Sequence, residues 1–304
     1  MNDQKEAYYF EPVPICEMCG DSTAKHKILG QRLNGHQGFR PKKKSGISVS
    51  VKKCTKCQLI YSSPLPVPFN FQDHYGGDPE EYWLPDYFTW TPSYFAYEIK
   101  KLKELIEIKE GMKSLDVGAG IGKCMISMQT AGFETYGFEP SETFHQMAIT
   151  KMNIPPERLK LGMIEDVDYP ENFFDFITFG AVFEHLYHPS TSLSKALKWL
   201  KPGGVLQIEV PSSKYFVTKL INFYYRLIGT NYVSNICPMH EPFHLYEFGY
   251  RSFAELGKKL GYKIVLHEYY VSRLDPYPKM FRLMLRQYMK WTNTGMQLTV
   301  WLSK

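Results

Sequence analysis

The chain has 304 residues, is 44% hydrophobic and carries a formal net charge of +5. That length can bury a full core and hold one large domain with a small companion, and the composition excludes a disordered or fibrous chain. No apolar run approaches the roughly 18 residues that would span a bilayer. Met1-Asn-Asp-Gln-Lys-Glu lacks the apolar centre of a signal peptide, so a cytoplasmic setting with reduced thiols is expected.

The first segment, residues 10–62, contains Cys16, Cys19, Cys54 and Cys57 as two CxxC pairs separated by 34 residues. Four thiolates form the donor set of a tetrahedral zinc site with bonds of about 2.3 Å. No position remains for water, so the zinc is expected to be structural, clamping a segment too poor in apolar residues to fold alone. Apolar alternation at Ile47, Val49 and Val51 predicts a strand leading into the second pair.

The same region is basic. Between Ser22 and Gln72 there is no Asp or Glu, while Lys25, Lys27, Arg32, Arg40, Lys42, Lys43, Lys44, Lys52, Lys53 and Lys56 supply more positive charge than the whole chain retains. The remainder is therefore acidic. A one-sided field favours anionic partners such as nucleotide diphosphates, acidic glycans or nucleic acid. The alternative is a solvated loop, since residues 35–50 are rich in Gly, Lys and Ser.

Residues 63–92 form a connector. Ser63-Pro-Leu-Pro-Val-Pro68 is stiff and proline-rich, and Tyr75, Tyr82, Trp83, Tyr87, Phe88 and Trp90 follow it. Thr91-Pro92 predicts a helix start, with an apolar stripe at Phe95, Ile99 and Leu102 that runs to Gly111.

Ser114-Leu-Asp-Val-Gly-Ala-Gly-Ile-Gly122 then reads as a strand that ends in a bare backbone turn and passes into a helix. Without Cβ atoms, Gly118, Gly120 and Gly122 let a ligand lie against the main chain at the strand's carboxyl end. A dinucleotide site also needs such a turn, with an acid near the position of Glu139 for the ribose. The spacing separates the two readings: GxGxxG would require glycine where Lys123 stands, whereas this chain has GxGxG preceded by Asp116.

That DxGxGxG pattern resembles the cofactor signature of the class I S-adenosylmethionine-dependent methyltransferases. Further elements match in order: Phe133–Phe138 ending at Glu139, Gly162-Met-Ile-Glu-Asp166 after a third short segment, Phe173–Gly180, Trp199-Leu-Lys-Pro-Gly-Gly204, and Val205–Val210. The resemblance implies an α/β fold with a Rossmann-like seven-stranded sheet over residues 93–304, whose last strand, 297–303, is antiparallel. It implies that Asp116, Gly118, Gly120 and Gly122 hold the methionine end of S-adenosylmethionine and that Glu139 holds the ribose. Met163 and Ile164 would flank the adenine, and Gly180 would complete the donor site.

For catalysis, the resemblance points to Glu184-His185 after the fourth strand. His240 and His244, in an inserted cap spanning 211–250, are further candidate bases. No carboxylate or third histidine stands at a helical ligand spacing from them, so metal chemistry is not expected there. Phe216, Phe223, Tyr224 and Tyr225 are candidates for an aromatic substrate wall. With its zinc ribbon, the chain is similar to zinc-ribbon methyltransferases acting on sugars and natural products. The Tyr-x-Glu-His base motif of the carbon methyltransferases in that group is reduced here to His244, which favours a hydroxyl acceptor on a sugar, glycan or natural product, nucleotide-linked or not. The alternatives are an RNA base methyltransferase, with nucleic acid following the basic ribbon, and a catalytically silent S-adenosylmethionine-binding zinc interaction module.

Overall fold

The computed structural model describes residues 8–34, 47–70, 72, 88–271 and 279–304. Arg40, Lys42, Lys43 and Lys44 of the basic stretch, and Tyr75, Tyr82, Trp83 and Tyr87 of the connector, lie outside the described residues. Thirteen strands form three sheets among the described residues. Two of them, β1 (Tyr8–Glu11) and β5 (Leu65–Pro68), pair antiparallel by themselves.

The largest sheet is the seven-stranded one expected. Its members are β6 (Lys113–Val117), β7 (Glu134–Glu139), β8 (Leu159–Leu161), β9 (Phe174–Gly180), β10 (Leu200–Pro211), β12 (Lys263–Tyr270) and β13 (Gln297–Ser303), in the order β12-β13-β10-β9-β6-β7-β8. Strands β9, β6, β7 and β8 run parallel. The middle strand β9 reads Phe-Asp-Phe-Ile-Thr-Phe-Gly and is buried up to its last residue. That near-continuous apolar run is what a parallel strand covered on both faces requires.

Helix α1 (Ala96–Leu105) leads into β6, and three helices connect successive strands: α2 (Lys123–Thr130), α3 (Glu142–Thr150) and α4 (Pro189–Trp199). Helix α1 starts later than Thr91-Pro92 suggests, because Phe95 takes a left-handed conformation (φ 58°) and residues 91–94 close a separate turn. Helix α2 approaches β7 closely at Gly137, where an added Cβ would lie 2.7 Å from the Met125 sulfur. Three further helices follow: α5 (Phe216–Leu227), α6 (Tyr250–Leu260) and α7 (Lys279–Thr292). None is long and apolar enough to cross a membrane among the described residues.

The chain divides into two compact units. One comprises Asn70–Val182, Thr191–Ile208 and Trp301–Lys304, and it carries β6 to β9 with the glycine loop. The Trp301 ring stacks on Phe176 at 6.1 Å between centroids, with 19° between the planes.

The other unit joins the N-terminal stretch up to Phe69 with Phe183–Ser190 and Glu209–Val300. Here β2 (Lys27–Leu33), β3 (Ser48–Lys53) and β4 (Ile60–Ser63) form an antiparallel sheet, and β11 (Tyr246–Glu247) adds a fourth strand beside β4. At the opposite edge, the Gln31 N–H donates to the Asn231 carbonyl at 2.9 Å and the Val233 N–H donates to the Gln31 carbonyl at 3.1 Å. Chain that follows β10 thus pairs with this small sheet at both edges, through Asn231–Val233 at one and β11 at the other. Gly30 makes the first of these possible, since a Cβ there would sit 2.3 Å from the Asn231 oxygen.

Trp301 is 1% exposed against Phe176, so Trp301→Ala should destabilise the protein by about 3–5 kcal/mol, the usual cost of removing a buried aromatic. Urea unfolding followed by far-UV circular dichroism measures this; a loss below about 1 kcal/mol would show that the stack is not part of the core.

Candidate methyl-donor site and histidine cluster

The ladder sets the first acid. Asp116 stands opposite Gly137 on one side and Thr178 on the other, and it is 3% exposed. After Val117 the chain turns through Gly118, Gly120 and Gly122, all at positive φ (67°, 53° and 83°), where a side chain would be strained. Two of these positions are also sterically closed. A Cβ on Gly118 would lie 2.6 Å from Val182, and one on Gly122 would lie 2.6 Å from Ile154. The Ala119 N–H donates to the Phe138 carbonyl at 2.9 Å and ties the loop to β7.

Glu139 closes the arrangement from the end of β7. One carboxylate oxygen accepts from the Gly120 N–H at 2.7 Å and the other from the Ser141 N–H at 2.8 Å. Each oxygen keeps a second lone pair for a ligand hydroxyl. Asp116 differs: its Oδ2 is buried and has no hydrogen-bond partner among the described residues. A buried acceptor without a donor is costly, and a cationic ligand group would remove that cost. The residues therefore fit the amino acid end and ribose of S-adenosylmethionine.

Of the remaining expected donor-site residues, Ile164 is buried and Met163 half-buried, just after the Gly162 N–H bonds to the Glu139 carbonyl at 3.1 Å. Gly180 is exposed at the end of β9. Sequence reading missed the supports behind these groups. Ser127 on α2 accepts from the Trp90 indole N–H at 3.0 Å and donates to the Tyr94 carbonyl at 2.8 Å, while the Lys123 ammonium lies 4.4 Å from the centre of the Tyr94 ring. The aromatic density of the connector was the available signal, but not its target.

The candidate bases lie in the other unit. Glu184 is 2% exposed, and one of its oxygens is 3.6 Å from His244 Nε2. His185 Nδ1 is 3.2 Å from the Phe243 carbonyl, and its ring centroid is 5.1 Å from that of His244. A carbonyl can only accept, so this bond fixes the tautomer with the proton on Nδ1 and the lone pair on Nε2. Ligand atoms of Glu184, His185 and His244 all lie within 4.8 Å of one another. Spacing along the chain concealed that cluster, because it is assembled by backbone pairing of Glu184 with Leu245, whose N–H donates at 3.0 Å. His240 is elsewhere engaged: its Nε2 accepts from the Arg32 guanidinium at 2.9 Å. Burial, and then His185, pushes the His244 imidazole down to about 3, while burial pushes the Glu184 carboxyl up to about 8.

The four cysteines converge as expected. Cys16 and Cys57 sulfurs are 3.6 Å apart, as are those of Cys19 and Cys54. That is too far for a disulfide and close to the roughly 3.8 Å edge of a tetrahedron with 2.3 Å zinc–sulfur bonds. Each CxxC is followed by a residue at positive φ, Gly20 at 73° and Gln58 at 68°. In each, that residue's N–H returns to the carbonyl of the first cysteine. The aromatic wall candidates divide: Tyr225 is buried and Phe223 exposed, while Phe216 packs on Tyr288 at 4.8 Å.

Burial, followed by the Glu139 charge, pushes Asp116 up to about 8, and burial pushes Glu139 up to about 7 despite its two backbone donors. A carboxyl with a raised pKa binds protons more tightly when folded. Its stabilisation is present below its unfolded pKa and is lost as pH rises to the folded value. The ligand-free protein should therefore lose thermal stability between about pH 4 and about pH 8, and Asp116→Asn should flatten the decline. Melting curves across that range check this, and an unchanged slope in the variant would contradict it.

A family model described as a methyltransferase domain matches residues 91–267, more than half of the chain. The ubiquinone biosynthesis O-methyltransferase of Rhodopseudomonas palustris (strain TIE-1) is 26% identical over 133 residues, covering 42% of this chain and 49% of its own. The phosphoethanolamine N-methyltransferase of Plasmodium falciparum (isolate 3D7) is 32% identical over 113 residues, or 36% and 42% of the two chains. This chain thus spans about half the length of the curated relatives it matches. Among solved structures, a SAM-dependent methyltransferase from Archaeoglobus fulgidus aligns with a TM-score of 0.48 and 15% identity over 72% of this chain and 97% of that one. The family match over residues 91–267, on a chain with this sheet and this glycine loop, means that the protein belongs to the class I S-adenosylmethionine-dependent methyltransferases.

Proposed function

We propose that the protein methylates a hydroxyl of a small-molecule acceptor, such as a sugar, glycan or natural product. The observation that carries the donor half of this reading is the buried, partnerless Asp116 oxygen beside a glycine loop and the Glu139 carboxylate. Asp116 would accept from the ammonium of S-adenosylmethionine, and Glu139 from the ribose hydroxyls. Gly118, Gly120 and Gly122 would supply the bare backbone, Met163 and Ile164 would flank the adenine, and Gly180 would stand at the methyl end. When bound, S-adenosylmethionine supplies an electrophilic methyl group on a sulfonium.

Methyl transfer to a hydroxyl releases a proton, and this chain needs a group to take it. His185 is assigned that role because its Nδ1–H is committed to the Phe243 carbonyl, which leaves Nε2 as the basic nitrogen. It also follows β9 by only five residues. Glu184 and His244 hold the ring's surroundings, with His244 kept neutral by burial. His240 is a positioning group held by Arg32. The oxygen acceptor is supported by the O-methyltransferase among the relatives and by the reduced base motif; the nitrogen acceptor of the Plasmodium relative is the competing reading. Cys16, Cys19, Cys54 and Cys57 would hold a structural zinc.

Asp116→Ala and Glu139→Ala should each abolish S-adenosylmethionine binding in calorimetry, and wild-type affinity in both would refute the donor site. His185→Ala should keep donor affinity while turnover of a hydroxyl acceptor falls by about two to four orders of magnitude. Candidate acceptors are screened by mass for the gain of a methylene unit, and undiminished turnover removes His185 from the chemistry. Elemental analysis should find about one zinc per chain, lost in Cys54→Ser together with thermal stability; a metal-free wild type that melts at the same temperature would contradict the zinc assignment.

A further inference from the structure

Helices α5 and α7 belong to the same unit and pack side by side. Val217 on α5 meets Leu285 and Met289 on α7, all buried, and the Phe216 and Tyr288 rings meet at 4.8 Å. This contact consumes one side of each helix. The row of α5 that begins at Phe216, about a quarter of a turn round from Val217, exposes Leu220, Phe223 and Leu227 at helical spacing, with Lys219 and Arg226 on its outer flank. The outer row of α7 exposes Met280, Met284 and Trp291, with Arg286 and Lys290 alongside. Met280 is 77% and Trp291 82% exposed, values at which the side chain makes little contact with its own chain.

A water-facing helix surface normally mixes both signs of charge and shows large apolar side chains singly. Here large apolar side chains line an exposed row on each of two neighbouring helices, linked through the Phe216–Tyr288 and Tyr288–Trp291 ring contacts, and neither helix contains an Asp or Glu. Such a face asks for a partner that is apolar in the middle and anionic around it. A second copy of the chain fits poorly, because a two-fold contact sets the patch against itself and brings cation to cation. An anionic bilayer surface fits both properties. Leu, Met and Phe enter the boundary between headgroups and acyl chains, Trp suits that depth, and Lys and Arg meet the headgroup charge. The helices would lie in the interface rather than cross it: α7 has 14 residues, roughly 21 Å of helix against a hydrocarbon core of about 30 Å.

We propose that the outer faces of α5 and α7 form a docking surface for anionic lipid bilayers, with Leu220, Phe223, Leu227, Met280, Met284 and Trp291 inserting and Lys219, Arg226, Arg286 and Lys290 reading the headgroup charge. Binding is reversible, weakened by salt and independent of the methyl donor, so this surface stands or falls separately from the donor site.

Flotation of the full chain with vesicles of phosphatidylcholine alone, or of phosphatidylcholine with phosphatidylglycerol, tests it. The expected result is at least about tenfold stronger partition to the anionic vesicles, reduced by added salt. The double variant Met284→Glu/Trp291→Glu should lose most of that partition with an unchanged circular dichroism spectrum. Arg286→Gln/Lys290→Gln, which spares the apolar row, should lose the preference for anionic vesicles. Absence of flotation at low salt, or wild-type flotation by a folded glutamate variant, overturns the proposal. So does a dimer in analytical ultracentrifugation that the glutamate variant converts to monomer, because the face is then covered by a second copy.

Discussion

One buried carboxyl constrains the rest of the donor site. Strand pairing places Asp116 between Gly137 and Thr178. Thr178 cannot help it, since its hydroxyl donates to Gln207. The acid is left in a low-dielectric position beside a second buried acid, Glu139, with which it repels. The ionised acid does not stabilise the fold this way; it carries a cost that a proton removes below its raised pKa and that a bound cation would offset above it. The neighbouring features enclose that position. Three glycines hold positive φ, Val182 and Ile154 fill the space that side chains on Gly118 and Gly122 would need, and backbone donors fix Glu139 in place.

The cysteine-bearing segment is bound into its unit by the chain that follows β10. Its sheet pairs at one edge with Asn231–Val233 through Gln31 and takes Tyr246–Glu247 at the other. Val51 and Ile60 pack with Val233 and Ile236, the Glu247 carboxylate accepts from Asn235 and the Ile236 N–H, and Ser252 on α6 donates to the Cys57 carbonyl at 3.1 Å. The segment that supplies His244 is therefore fastened to the sheet that presents the second cysteine pair. Loss of the cysteine cluster's geometry would be felt along that segment, even though no cysteine is part of the proposed chemistry.

Much of this was legible in the sequence, and the reason is locality. The strand-turn-helix at Ser114–Lys123, the acid at Glu139 and the CxxC pairs are short motifs whose conformation depends on neighbours in the chain. The middle strands were readable because runs such as Phe173–Gly180 and Val205–Val210 are apolar and bounded by turns. What the sequence concealed is long-range. Nothing in the spacing shows that Glu184 meets His244, that Arg32 takes the lone pair of His240, or that Gly30 is glycine to admit the Asn231 backbone. The late start of α1 was also hidden, since Thr91-Pro92 is a sound helix signal that the left-handed Phe95 overrides. The outer faces of α5 and α7 illustrate the converse. Their apolar periodicity reads as core, and only the fold shows which half of it faces outward.

The most direct test of this account is a crystal structure with S-adenosylhomocysteine bound. The account predicts its amino acid end against Gly118–Gly122 with the amino group on the Asp116 carboxylate, and its ribose hydroxyls on Glu139. Density for the ligand away from this loop, or a loop that instead takes the pyrophosphate of a dinucleotide, would contradict it.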